Sequence, residues 1–161
     1  MTLIEIIGEI DQAMPERVHR QLADADDHLR LIVGSQGGDY DAASQIYEAI
    51  RQHPARLKTA FIGEASSGAL LIALAADRRV AVRDASILLH VASQAPTDSR
   101  RWTAREYFAA ARRLRRIDEE IAAMFSRRTG RPASVFLKEM KSETEAPLAW
   151  CLQNKIIHEV M

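Results

Sequence analysis

Short apolar runs and helical periods take turns along the first half of the chain, and this alternation restricts the fold more than any other feature of the sequence. Residues 3–7 read as a buried strand. Pro15 suits the first turn of a helix, where its missing N–H is no loss, and Val18, Leu22 and Ala25 follow on one face. Residues 29–33 are the next apolar run, completing a βαβ unit. After Gly37 and Gly38, residues Ala42, Ala43, Ile46, Tyr47 and Ile50 line a second helix that ends near Pro54, and residues 57–62 predict a third strand. The pattern continues with a short apolar helix over 68–76, strands over 80–82 and 87–91, and a polar loop around Pro96. Alternation of this kind is the sequence sign of helices packed on a largely parallel sheet.

The second half differs. Residues 101–127 carry one long helical pattern whose apolar members are Tyr107, Phe108, Leu114, Ile117, Ile121 and Phe125. Arg112, Arg113, Arg115 and Arg116 precede Asp118, Glu119 and Glu120, a spacing that predicts surface ion pairs along the helix. Thr129, Gly130 and Pro132 close this helix and open a shorter one, and residues 155–160 predict a closing strand.

With 161 residues the chain fits one domain. Its 22 basic side chains balance 22 acidic ones, which argues against nucleic acid as a partner, and 47% hydrophobic residues argue against disorder. The longest apolar stretch, 69–76, falls far short of the roughly 20 residues that cross a bilayer, so no membrane span is expected. Cys151 has no cysteine partner for an internal disulfide, and the opening residues lack the basic and apolar regions of a secretory signal. A cytoplasmic location is the expectation. His19, His28, His53 and His158 lack metal-site spacing, so neither zinc nor another cofactor is expected.

Chemistry is concentrated in residues 62–69, where small residues surround Ser66 and Ser67 at a strand-to-helix turn. Free backbone N–H groups and the positive end of a helix dipole at such a turn can stabilise the oxyanion of a tetrahedral intermediate. Serine at a helix start is also the ordinary N-cap residue, so partners are required. Gly37 and Gly38 supply a second bend at the same edge of the predicted sheet, either as part of a site or as a plain tight turn. His90 ends an apolar strand, within reach of that edge, where one ring nitrogen can serve the site while the other meets a partner.

In order along the chain, Gly34-Ser35-Gln36-Gly37-Gly38, Ile46-Tyr47, Gly63-Glu64-Ala65-Ser66-Ser67, Asp77 and His90 resemble the landmarks of the ClpP family of self-compartmentalising serine peptidases, especially its phage and prophage-type branch. The resemblance runs over nearly the whole chain. It implies an α/β, ClpP/crotonase-like fold of repeated ββα (βαβ) units wound as a superhelix, with a long protruding helix in the second half. It further implies hydrolysis of peptide bonds in peptides or unfolded proteins inside a homo-oligomeric ring, and it leaves room for an AAA+ unfoldase as partner.

Carried across, the family's roles make Ser67 the nucleophile, with Ser66 as the competing reading, and His90 the general base. Backbone N–H groups of Gly37, Gly38 and Gly68 would form the oxyanion hole. Glu143 occupies the place of the third catalytic residue, with Glu139 and Glu145 as nearby substitutes. Gln36 stands where the family has proline, and residues 91–94 lack the glycine-rich strand that usually follows the histidine, so substrate binding is expected to differ. Two other readings share the pattern: a catalytically silent ClpP-like structural or binding subunit, and an acyl-CoA enzyme on the related crotonase fold.

Overall fold

The computed structural model describes residues 1–95 and 98–161. The loop expected around Pro96 lies partly outside the described residues, since Pro96 and Thr97 are not among them. Five strands form one parallel sheet in sequential order: β1 (Thr2–Ile7), β2 (His28–Ser35), β3 (Leu57–Ser66), β4 (Arg78–Leu88) and β5 (Glu159–Val160). The crossovers carry α1 (Met14–Ala23), α2 (Tyr40–Gln52) and α3 (Gly68–Ala73), as the alternation of runs predicts. The long helix is α4 (Ala104–Thr129), followed by α5 (Ala133–Met140) and α6 (Leu148–Gln153).

Each crossover helix follows from its pattern. In α2 the buried residues are Ala42, Ala43, Ile46, Tyr47 and Ile50, the face read from the sequence. Asp39 caps this helix by accepting from Ala42 N at 2.7 Å. All of α3 is buried, which explains why it is apolar on every side and shows no stripe. Its regular part ends at Ala73, shorter than the helix expected over 68–76; Leu74, Ala75 and Ala76 continue as turns but stay fully buried.

Three expectations are corrected by longer-range pairing. The strands expected over 80–82 and 87–91 are two ends of β4: while β3 advances from Ile62 to Glu64, β4 advances from Ala81 to Ser86, so the intervening residues bulge out. The strand stops at Leu88 and leaves His90 just past its end. The closing strand expected over 155–160 is only Glu159–Val160, because Lys155 turns with φ 58°. Helix α6 was not expected, although Pro147 at its N-cap resembles Pro132 at that of α5.

Arg79, only 1% exposed, fastens the C-terminal segment to the core. Its guanidinium donates to the carbonyls of Ala76, Lys155 and Ile156, and burial lowers its pKa to about 10. Around it, His158 N donates to Arg79 O and Met161 N to Ala81 O. On α4 the expected ion pairs form as Arg115–Glu119 and Arg116–Glu120, whereas Asp118 turns away from the arginines to the segment after His90. No helix among the described residues is long and apolar enough to cross a membrane.

Candidate active site

Ser67 sits where β3 passes into α3, with φ 54° and ψ −126°, a backbone conformation rare for a residue with a side chain. Its hydroxyl makes no capping bond to the helix, so it is not held as an ordinary N-cap. The turn is fixed by main chain instead: Ser67 N donates to Leu88 O at 3.2 Å, and Ser67 O accepts from Leu70 N and Leu71 N. Ser66 ends β3 opposite Leu88 and is 7% exposed, while Ser67 is half-exposed at the cleft.

The double-glycine bend is shaped by close approach. A Cβ on Gly37, at φ +97°, would lie 2.7 Å from Ser67 Cβ and 2.8 Å from Ser66 O. A Cβ on Gly38 would meet Ile10 O at 2.3 Å, because the bend is stitched to Ile10 through Ile10 N to Gly37 O and Asp39 N to Ile10 O. The Gly37 N–H donates to Ser35 Oγ at 3.1 Å and is therefore spent locally. Among the described residues the amides of Gly38 and Gly68 have no acceptor, and both residues line the cleft. Of the three glycines expected to form the oxyanion hole, Gly38 and Gly68 keep amides without an acceptor among the described residues, while the Gly37 amide is engaged with Ser35.

That cleft, about 490 Å³, lies between the bend, the N-terminus of α2, the segment after β4, and α4. Ser67 and His90 both line it. They also both border an apolar recess walled by Leu70, Leu88, Ile121, Phe125 and Met140. Arg113 spans part of the cleft, donating to Gln94 Oε1 at 3.3 Å and standing 3.8 Å from Asp41. The pair with Asp41 is exposed and contributes little. Residues 91–95 form no strand, in keeping with the missing glycine-rich segment.

His90 Nδ1 lies 2.7 Å from the Val91 carbonyl oxygen. A carbonyl only accepts, so Nδ1 is the donor in this contact, and in the neutral ring Nε2 is then the acceptor. Among the described residues no carboxylate hydrogen-bonds the ring. Glu145 accepts from Ser86 Oγ at 2.6 Å, and its antiparallel bridge with Leu88 draws residues 143–146 alongside the end of β4. Glu143 is exposed, turns with φ 51°, and has no hydrogen bond among the described residues. Glu139 lies in α5, where its carbonyl accepts from Ser142. The described residues hold no cluster of potential metal ligands.

An alternating parallel α/β fold whose sheet edge gathers a strained serine, a histidine and open amides is compatible with a serine-peptidase class of site. The Clp protease family pattern matches residues 2–161, and the chain belongs to that family. The chain is 28% identical over 167 residues to the ATP-dependent Clp protease proteolytic subunit 3 of Rhizobium meliloti, covering 98% of this chain and 84% of the relative. It is 28% identical to the proteolytic subunit 2 of Mycobacterium leprae over 138 residues, 81% of this chain and 64% of that protein. Among solved structures, a point mutant of ClpP1 from Listeria monocytogenes superposes with a TM-score of 0.84 at 21% identity, covering 99% of this chain and 91% of that one. Unmutated ClpP1 from the same organism gives 0.78 at 22% identity, covering 99% and 90%. The fold is the ClpP/crotonase fold, and the family is one of serine peptidases that act as oligomers.

Proposed function

We propose that the chain hydrolyses peptide bonds through an acyl-enzyme on Ser67, with His90 as the general base and the amides of Gly38 and Gly68 as the oxyanion hole. The observation that carries this reading is that the serine, the histidine and both unpaired amides border one cleft. His90 Nε2 takes the hydroxyl proton as Ser67 Oγ attacks the scissile carbonyl, then returns it to the leaving amine. The negative charge that develops on the carbonyl oxygen would be met by these two unpaired N–H groups, each worth on the order of a hundredfold in rate.

Glu143 is the acid that the family pattern assigns as third member. To serve there its carboxylate would have to draw the Nδ1 proton away from Val91 O. The substrate is an extended peptide or unfolded protein, processed inside a homo-oligomeric ring in the cytoplasm, with an AAA+ unfoldase as the partner that feeds it. The family and the ATP-dependent name of the Rhizobium meliloti relative support this reading of the assembly. Hydrolysis is favoured over acyl-CoA chemistry because His90 borders the same cleft as Ser67.

A fluorophosphonate probe tests the assignment. Wild-type protein should be labelled on Ser67, and Ser67→Ala should lose both labelling and peptide hydrolysis while its melting curve is unchanged. Unlabelled wild-type protein with an intact fold would instead identify a silent structural subunit.

A further inference from the structure

Two hydrogen bonds meet at opposite ends of one peptide group beside the cleft. His90 Nδ1 donates to the Val91 carbonyl oxygen at 2.7 Å, and the Ala92 N–H donates to Asp118 Oδ1 at 2.6 Å. Val91 C=O and Ala92 N–H belong to the same planar amide, whose resonance links the two ends. A carboxylate on the N–H end makes the oxygen at the other end a stronger acceptor, and successive hydrogen bonds of this kind reinforce one another.

We propose that Asp118 is the positioning carboxylate of the Ser67–His90 site, acting through the Val91–Ala92 peptide to hold the imidazole in its Nδ1–H tautomer and to stabilise the imidazolium. The inference rests on the reading of Ser67 and His90 given above. In the acylation step His90 Nε2 gains the Ser67 proton, Nδ1 keeps its own, and Asp118 stays ionised, so no proton travels through the peptide. Asp118 is half-buried on α4, and the neighbouring arginines are engaged elsewhere, Arg115 with Glu119 and Arg116 with Glu120. The other charged or titratable groups that face the cleft are Asp39, Tyr40 and Asp41 from the start of α2 and Arg113 from α4. Asp39 is committed to Ala42 N, and Asp41 stands near Arg113. The turn after β3, the end of β4 and α5 bring Ser67, Leu88 and Met140, which carry no charge. Asp118 alone among these acids has a hydrogen-bonded route to the ring.

Asp118→Asn is the informative variant, because its amide oxygen can still accept from Ala92 N–H while the charge is gone. The rate of fluorophosphonate labelling is measured against pH for the wild type and Asp118→Asn, with melting curves alongside. Asp118→Asn should label on the order of tenfold more slowly at neutral pH, and its acid limb should move down by about one pH unit, because the imidazolium has lost a stabilising charge.

A clamp that only holds the loop would leave the Asp118→Asn rate and pH limb at wild-type values, and that result overturns the proposal. Should Asp118→Asn fail to fold, ¹⁵N NMR of the wild-type His90 ring decides: the neutral ring must be protonated at Nδ1, and protonation at Nε2 refutes the inference. A labelled wild type with an indifferent Asp118→Asn rejects this inference alone, whereas an unlabelled wild type rejects it together with the proposed function.

Discussion

Ser67 occupies a backbone conformation that costs a non-glycine residue about 1–3 kcal/mol, so its surroundings must hold it there. The hold comes from Leu88 O on one side, the first turn of α3 on another, and Gly37 packed against its Cβ. Gly37→Ala asks two things of the backbone at once: a positive φ for a side chain, and 2.7 Å between carbons that need more. We expect a loss of about 1–3 kcal/mol in denaturant unfolding, with slower labelling of Ser67, since relief requires the serine turn to shift. An unchanged midpoint and labelling rate would mean that the bend and the serine are not mechanically linked.

At the scale of the element, the start of α4 depends on a few polar contacts. Thr103 and Glu106 form a reciprocal capping box, and Arg100 pairs with Asp98 and with Glu106. The Arg100 hydrogen bond, followed by those from Thr103, holds the Glu106 carboxyl down to about 2 from its ordinary 4.5. Between those two values the unfolded chain binds a proton that the folded one does not, so stability rises with pH across the window. The contribution is complete above about 4.5 and is lost as pH falls through about 2. First-turn amides of α4 should therefore stay protected from hydrogen exchange at pH near 4 and lose protection as pH approaches 2. Full protection below that point would show that Glu106 does not secure the cap.

For the whole molecule, the apolar surface is unevenly distributed. Tyr107 and Phe108 on α4 are 58% and 69% exposed, although the helical pattern of the sequence puts them with its apolar members. Leu3 and Ile7 are likewise exposed on the outer side of β1. Surface of this kind in an oligomeric family is best read as contact area, and α4 is the element that carries its aromatic part. Phe108→Glu should leave the melting curve of the subunit close to wild type and lower the sedimentation coefficient of the assembly. An assembly of unchanged size would remove α4 from the proposed contact between subunits.

What the sequence determined by itself was local or periodic in origin. Strand and helix repeats differ, and the burial of Ala42, Ile46 and Ile50 or the turn at Ser67 could be read because neighbours along the chain define them. Tertiary structure decided the choices made between distant residues. The bulge in β4 answers to the length of β3, the Gly37 amide goes to Ser35 and leaves Gly38 open, and Asp118 joins Ala92. Asp118 looked from the sequence like one more charge on a solvated helix face, because spacing along α4 shows the arginines beside it and nothing of the strand end it meets. A hydrogen bond is directional and short, so which donor a carboxylate takes depends on three-dimensional approach, and no pattern along the chain encodes that.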